Sequence, residues 1–161
     1  MSVPAITLRA ASLEDAPALG RLGALLVRTH HDLDAARFIA PTPRTERGYA
    51  SFLTSQLAEP DAVLLVAEGP GGVVGYAYAV LEGLDFMALR GPAGVLHDLA
   101  VDPGVRGQGI GRRLLEAAVA ALAARGAPRV VLSAAARNEA ARRLFERAGF
   151  RPTMIELTRE T

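Results

Sequence analysis

The chain has no cysteine among its 161 residues, which excludes disulfides, thiolate metal sites and a cysteine nucleophile and fits a reducing cytosol. It also lacks a charge imbalance. With 18 basic and 17 acidic residues its formal net charge is +1, so no global field draws it to nucleic acid or to an anionic membrane. No apolar run approaches the ~18 residues that span a bilayer, and Met1-Ser2-Val3-Pro4-Ala5 shows no basic segment followed by an apolar one. The expectation is a cytoplasmic protein with neither a nucleic-acid nor a membrane partner. What is present is ordinary globular composition, 50% hydrophobic and 22% charged, at a length that suits one domain over residues 1–161.

Ile6 to Ala10 alternates as a strand, and Ser12-Leu13-Glu14-Asp15 carries the N-cap and acidic first turn of a helix predicted to about Thr29. Asp32 to Pro43 is polar and proline-bounded, hence a loop, and a second helix is expected over roughly Arg44 to Ala58. Ala62 to Glu68 and Val73 to Leu81 flank Gly69-Pro70-Gly71-Gly72 as the arms of a hairpin. Further on, the pattern predicts a strand over Gly94 to Val101 and a helix from Gly109 to about Arg125, stopped by Arg125-Gly126-Ala127-Pro128. A strand over Arg129 to Ala134, a helix over Asn138 to Ala148 and a last strand over Phe150 to Arg159 complete the reading. Interleaved strands and helices imply a mixed α/β sheet with helices on its faces.

The most informative stretch is Arg106-Gly107-Gln108-Gly109-Ile110-Gly111, between a strand and an amphipathic helix. Glycines there permit φ > 0 and close approach of a diphosphate, while amides of the first helical turn, roughly Gly107 to Arg112, and the helix dipole attract it. A P-loop needs Lys and Ser or Thr after its last glycine; Arg112 and Arg113 stand there instead. A dinucleotide fingerprint starting at Gly107 needs glycine at 112 and an acidic residue ending the next strand. Arg112 and Ser133-Ala134 occupy those places.

Leu96-His97-Asp98-Leu99-Ala100-Val101-Asp102-Pro103 leading into Arg106 to Gly111 resembles the acetyl-CoA motif of the GCN5-related N-acetyltransferase superfamily. Asn138 to Phe150 is similar to its second signature, an Asn at a helix start and Gly149-Phe150 at the exit. The resemblance covers Val95 to Phe150 and implies a mixed, mostly antiparallel sheet flanked by helices on both faces. It also implies acetyl-CoA as co-substrate of a direct transfer to a primary amine; no metal is expected, because His97 is distant in sequence from His30 and His31 and no paired carboxylate stands at ligand spacing.

The resemblance further implies that pantetheine lies along Leu99, Ala100 and Val101 and that a local distortion frees the Leu99 N–H for the thioester carbonyl. Arg106, Gly107, Gln108, Gly109, Ile110, Gly111 and Arg112 would hold the diphosphate, and Asn138 would contact CoA or simply cap its helix. An attacking amine must be unprotonated, so a base is required. Many relatives carry Glu where this chain has His97, whose ordinary pKa of ~6.5 suits the role; Asp98 and Glu82 are the alternatives. Phe145 departs from the pattern, since many relatives have there a Tyr that protonates the departing thiolate. Tyr76 or Tyr78 are candidate replacements or plain sheet filling. Arg142 and Arg143 suit either CoA phosphates or a solvated face, and His30 and His31 lie in the region that covers the acceptor. A small-molecule or peptide amine is the expected partner, and an apolar last strand offers a homodimer edge. The alternative function is a non-catalytic acyl-CoA-binding or sensing module, favoured by Phe145.

Overall fold

Alternating apolar residues dictate a sheet with two buried faces, and the computed structural model, which describes residues 5–161, has five strands. These are β1 (Thr7–Ala10), β2 (Ala62–Gly69), β3 (Gly72–Glu82), β4 (Ala93–Val101) and β5 (Val130–Leu132), arranged in sequence order across the sheet. The first four pair antiparallel and β5 joins β4 in parallel. The helices are α1 (Ala16–Leu33), α2 (Thr45–Ser55), α3 (Ile110–Ala124) and α4 (Glu139–Arg147). The fold is mixed α/β, as the sequence implied.

Residue parity assigns each helix to a face. Val63, Ala67, Ala77, Ala79 and Leu96 point to α3, where Leu114, Leu115 and Leu122 are fully buried, and Leu144 and Phe145 of α4 pack on the same cluster. On the other face Leu64, Val66, Tyr76 and Tyr78 meet Leu19 and Leu22 of α1 and Leu53 of α2. Two glycines bring α1 and α2 together. A Cβ at Gly20 would stand 2.6 Å from the Glu46 carbonyl oxygen, and one at Gly23 would stand 2.1 Å from the Tyr49 ring.

Two boundaries differ from expectation. The first helix runs one turn beyond Thr29 to Leu33 and is capped by the Asp34 N–H donating to the His30 carbonyl. His30 and His31 are therefore helical, not loop residues. The last strand is absent: residues 150–161 have no regular structure and are exposed apart from Phe150 at their start. Pro152 lacks a ladder donor, and Met154, Ile155 and Leu157 are all strongly exposed, so no alternating buried face exists to hold a strand. Glu156 instead pairs with Arg37 after α1. The sheet accordingly ends at β5, and the dimer edge expected of a sixth strand is not there.

Candidate active site

The site begins with one extra residue in β4. Tyr78 lies opposite Asp98 and Ala79 opposite Leu96, so His97 has no partner across the ladder, and the bulge changes the face served by every residue after it. Leu96 points to α3, while Asp98 and Ala100 turn toward α1 and α2 and Leu99 and Val101 return to the α3 side. The parallel ladder between β4 and β5 stops at Leu96 and Leu132. From His97 onward that edge of β4 has no strand beside it. A cleft of about 680 Å³ opens there, between His97 to Val101 on one side and Leu132, Ser133 and Ala134 on the other.

The cleft runs along β4 to the glycine loop. Gly107 (φ 80°) and Gly109 (φ 77°) are left-handed, a conformation costly for other residues, and a Cβ at either would meet nothing within 4 Å. Conformation, not crowding, requires glycine at these two positions. Gly109 caps α3, and the Arg113 N–H is bonded to its carbonyl, so the preceding amides of the first turn lack helical acceptors, an arrangement suited to an anion. Arg106 donates from Nε to the Val101 carbonyl at 3.1 Å, and Arg21 of α1 pairs with Asp102 at 2.9 Å while donating to the Val73 carbonyl. Asp102 in turn accepts from the Gly104 N–H at 3.0 Å. The loop is braced from both sides.

Of the residues singled out from sequence, His97, Leu99, Ala100, Val101, Arg106, Gly107, Gly109, Ile110, Gly111, Arg112 and Asn138 line the cleft; Asp98 and Gln108 do not. Asn138 also caps α4, its side chain accepting from the Ala141 N–H at 3.1 Å. Phe145 lines the cleft and meets Phe150 edge to face. Tyr76 and Tyr78 point away from it, toward α1 and α2. Arg142 and Arg143 are absent from the lining; Arg142 donates to the Ala136 carbonyl and Arg143 pairs with Glu139.

The polar groups at the bulge form two sets. His97 Nε2 lies 2.9 Å from Glu82 Oε1, its ring stacked on Tyr78, and Glu82 is paired with Arg90 at 3.0 Å. A carboxylate only accepts, so Nε2 carries the proton and Nδ1 the lone pair of the neutral ring. Behind the strand, buried Asp98 accepts from the Tyr76 hydroxyl at 2.8 Å, with Tyr49 nearby. Burial pushes its carboxyl above the usual aspartate range, partly offset by the Tyr76 hydrogen bond and nearby His97. Burial beside this carboxylate likewise pushes both phenols up.

Three residues escaped sequence reasoning or were underweighted by it. His30 lines the cleft whereas His31 does not, and His30 Nδ1 donates to the Leu26 carbonyl at 2.8 Å. Tyr49 packs on Gly23, where a Cβ would stand 2.1 Å from its ring, and a glycine three residues from another glycine in a helix was the available signal. Glu82 as partner of His97 depends on the bulge. Among the described residues no group of three or more His, Asp or Glu is placed to hold a metal ion, and no helix is long and apolar enough to cross a membrane.

Residues 27–150 match the model of the acetyltransferase (GNAT) family. An uncharacterized N-acetyltransferase of Bacillus subtilis, YhfO, is 31% identical over 106 residues, covering 65% of this chain and 68% of that protein. A mycothiol acetyltransferase of Clavibacter michiganensis is 33% identical over 125 residues, 76% of this chain but 39% of its own length. One from Beutenbergia cavernae is 44% identical over 62 residues, 38% of this chain and 21% of its own length. The chain thus spans two fifths or less of these two mycothiol acetyltransferases. In fold, a predicted acetyltransferase of Clostridium acetobutylicum solved with acetyl-CoA superposes with a TM-score of 0.74 at 19% identity, covering 96% of each chain. A GCN5-related N-acetyltransferase of Ralstonia eutropha gives 0.74 at 23%, covering 98% of this chain and 99% of that one.

Proposed function

The chain belongs to the acetyltransferase (GNAT) family, and from that premise we propose that its 161 residues act as one N-acetyltransferase domain moving an acetyl group from acetyl-CoA to a primary amine. The observation that carries the reading is the continuous path from an unpaired β4 edge to a helix N-terminus cradled by two left-handed glycines. The amides from Gly107 to Arg112, with Arg106 and Arg112, hold the diphosphate; Leu99 to Val101 offer backbone partners to the pantetheine amides. The Leu99 N–H faces the thioester carbonyl and stabilises the negative charge that develops on it, an effect worth ~2.7 to 4 kcal/mol in acyl transfer.

His97 takes the proton of the attacking amine on Nδ1 while Glu82 holds Nε2–H, so the ring is oriented and the imidazolium is stabilised. Asp98, sealed behind the strand, acts on the site through charge alone. Phe145 has no proton to give, and a thiolate near its ordinary pKa of ~8.5 departs without one. The mycothiol acetyltransferase name carried by several relatives supports transfer involving a small molecule.

Titration calorimetry with CoA tests the premise: micromolar binding is expected, and no binding at high micromolar concentration removes it. Release of free thiol from acetyl-CoA across an amine panel then separates catalysis from the second reading, an acyl-CoA sensor. Phe145 favours that reading, and it predicts binding without thiol release.

A further inference from the structure

We propose that the acceptor is a compact primary amine, cationic in solution, that carries no carboxylate or phosphate next to its nitrogen. The inference rests on the acyl-transfer reading above and concerns the opposite end of the same cleft from the glycine loop. His97 and Val101 are four strand residues apart, about 13 Å, so the two ends are chemically separate.

The cationic side chains in the lining, among the described residues, are Arg106, Arg112 and Arg147, apart from its two histidines. The first two sit in or beside the glycine loop, and Arg147 lies one turn past Leu144, which approaches Gly111. The bulge end has the reverse character. Its lining offers the lone pairs of His97 and His30, each ring donating its own N–H to the protein, at 2.9 Å to Glu82 and 2.8 Å to the Leu26 carbonyl. Glu82 and buried Asp98 stand behind them. Arg90 sits outside the lining and is engaged by Glu82 and Asp85.

Such a surface accepts hydrogen bonds and attracts positive charge; among the described residues its lining holds no guanidinium at this end, and Arg137, just outside it, donates to the Leu33 carbonyl. An α-amino acid delivering its nitrogen to His97 would bring its carboxylate toward Glu82, which holds His97 Nε2–H at 2.9 Å, and toward buried Asp98, with no arginine of the lining at that end to pair with it, which is unfavourable. A decarboxylated amine meets only acceptors, with Leu25 and Leu26 of the lining to cover an apolar body.

The test uses matched pairs, phenethylamine against phenylalanine and ethanolamine against serine, titrated into the protein saturated with CoA. We expect the simple amine of each pair to bind at least about tenfold more tightly than its carboxylated counterpart. Glu82→Gln should shrink that preference, and Thr29→Arg, which adds a cation to the same lining, should narrow or reverse it. Equal or tighter binding of the amino acids overturns the inference, as does failure of both members of both pairs to bind. The preceding CoA titration keeps the outcomes apart: its failure removes the acyl-transfer reading, whereas intact CoA binding with unselective amines removes the acceptor class alone.

Discussion

His97 owes its position to a single unmatched residue in the β3–β4 ladder, and its chemistry to the carboxylate that the hairpin end supplies. The sequence named it because a histidine stood where relatives carry Glu, but it could not reveal that Glu82, weighed as a rival base, is its partner. Register decides that relation, and one slipped residue reverses which faces meet. Asp98 shows the same limit: a regular strand and a bulged strand send it to opposite sides, and only the ladder distinguishes them. If His97 is the base, His97→Gln lowers kcat by roughly 10² to 10⁴ and flattens the acid limb of the pH–rate profile while CoA affinity stays within about twofold. Glu82→Gln should cost less, since it removes orientation and charge but leaves the proton acceptor. Rate profiles over pH 5.5 to 9 decide both, and an unchanged profile in His97→Gln excludes that histidine.

Long periodic elements were legible because each carries its own signal. Glycine, proline and apolar spacing located β2, β3, α3 and α4 to within a few residues, and the loop from Arg106 to Gly111 carried the resemblance to the family that the chain belongs to. The ends of elements were less legible. α1 gains a turn because nothing in Thr29-His30-His31 stops a helix, and that turn places His30 in the cleft. The tail beyond Phe150 reads as a strand by alternation, yet a strand exists only against a partner, and β5 offers three residues. The α1–α2 crossing was invisible to periodicity because it depends on small residues rather than large ones. Gly23→Ala puts a methyl into the Tyr49 ring, so either the helices separate or the Tyr49 ring is displaced. We expect a loss of about 1 to 3 kcal/mol, read as a lower urea midpoint with an unchanged slope.

At the scale of the whole molecule, Arg9 ties three elements together. It pairs with Asp15 at the start of α1 and with Glu68 of β2, both at 2.8 Å, and Asp15 completes a capping box with Ser12. The Arg9 guanidinium holds the Asp15 carboxyl below the usual aspartate range. A depressed carboxyl stabilises the fold above its unfolded pKa of ~3.9 and loses that contribution as pH falls through the folded value. Thermal melts should therefore show wild type losing its advantage over Asp15→Asn below about pH 4, with a difference of a few degrees at pH 7. All 18 basic residues are arginine, so this sequence offers no lysine for self-acetylation, and guanidinium stays protonated and unreactive.

The short ladder between β4 and β5 has a thermodynamic side as well. A sheet whose last two strands share three residue pairs and then part is a sheet left partly unzipped, and a ligand lying in the gap closes it with backbone hydrogen bonds the chain cannot make for itself. Binding to the folded form alone transfers its free energy to folding. At a hundred times its dissociation constant CoA should contribute ~2.7 kcal/mol, a rise in Tm on the order of 5 to 10 °C for a chain of this size. Slowed amide exchange in β5, whose Leu132 pairs with Leu96 at the edge of the cleft, would be the local sign of the same closure.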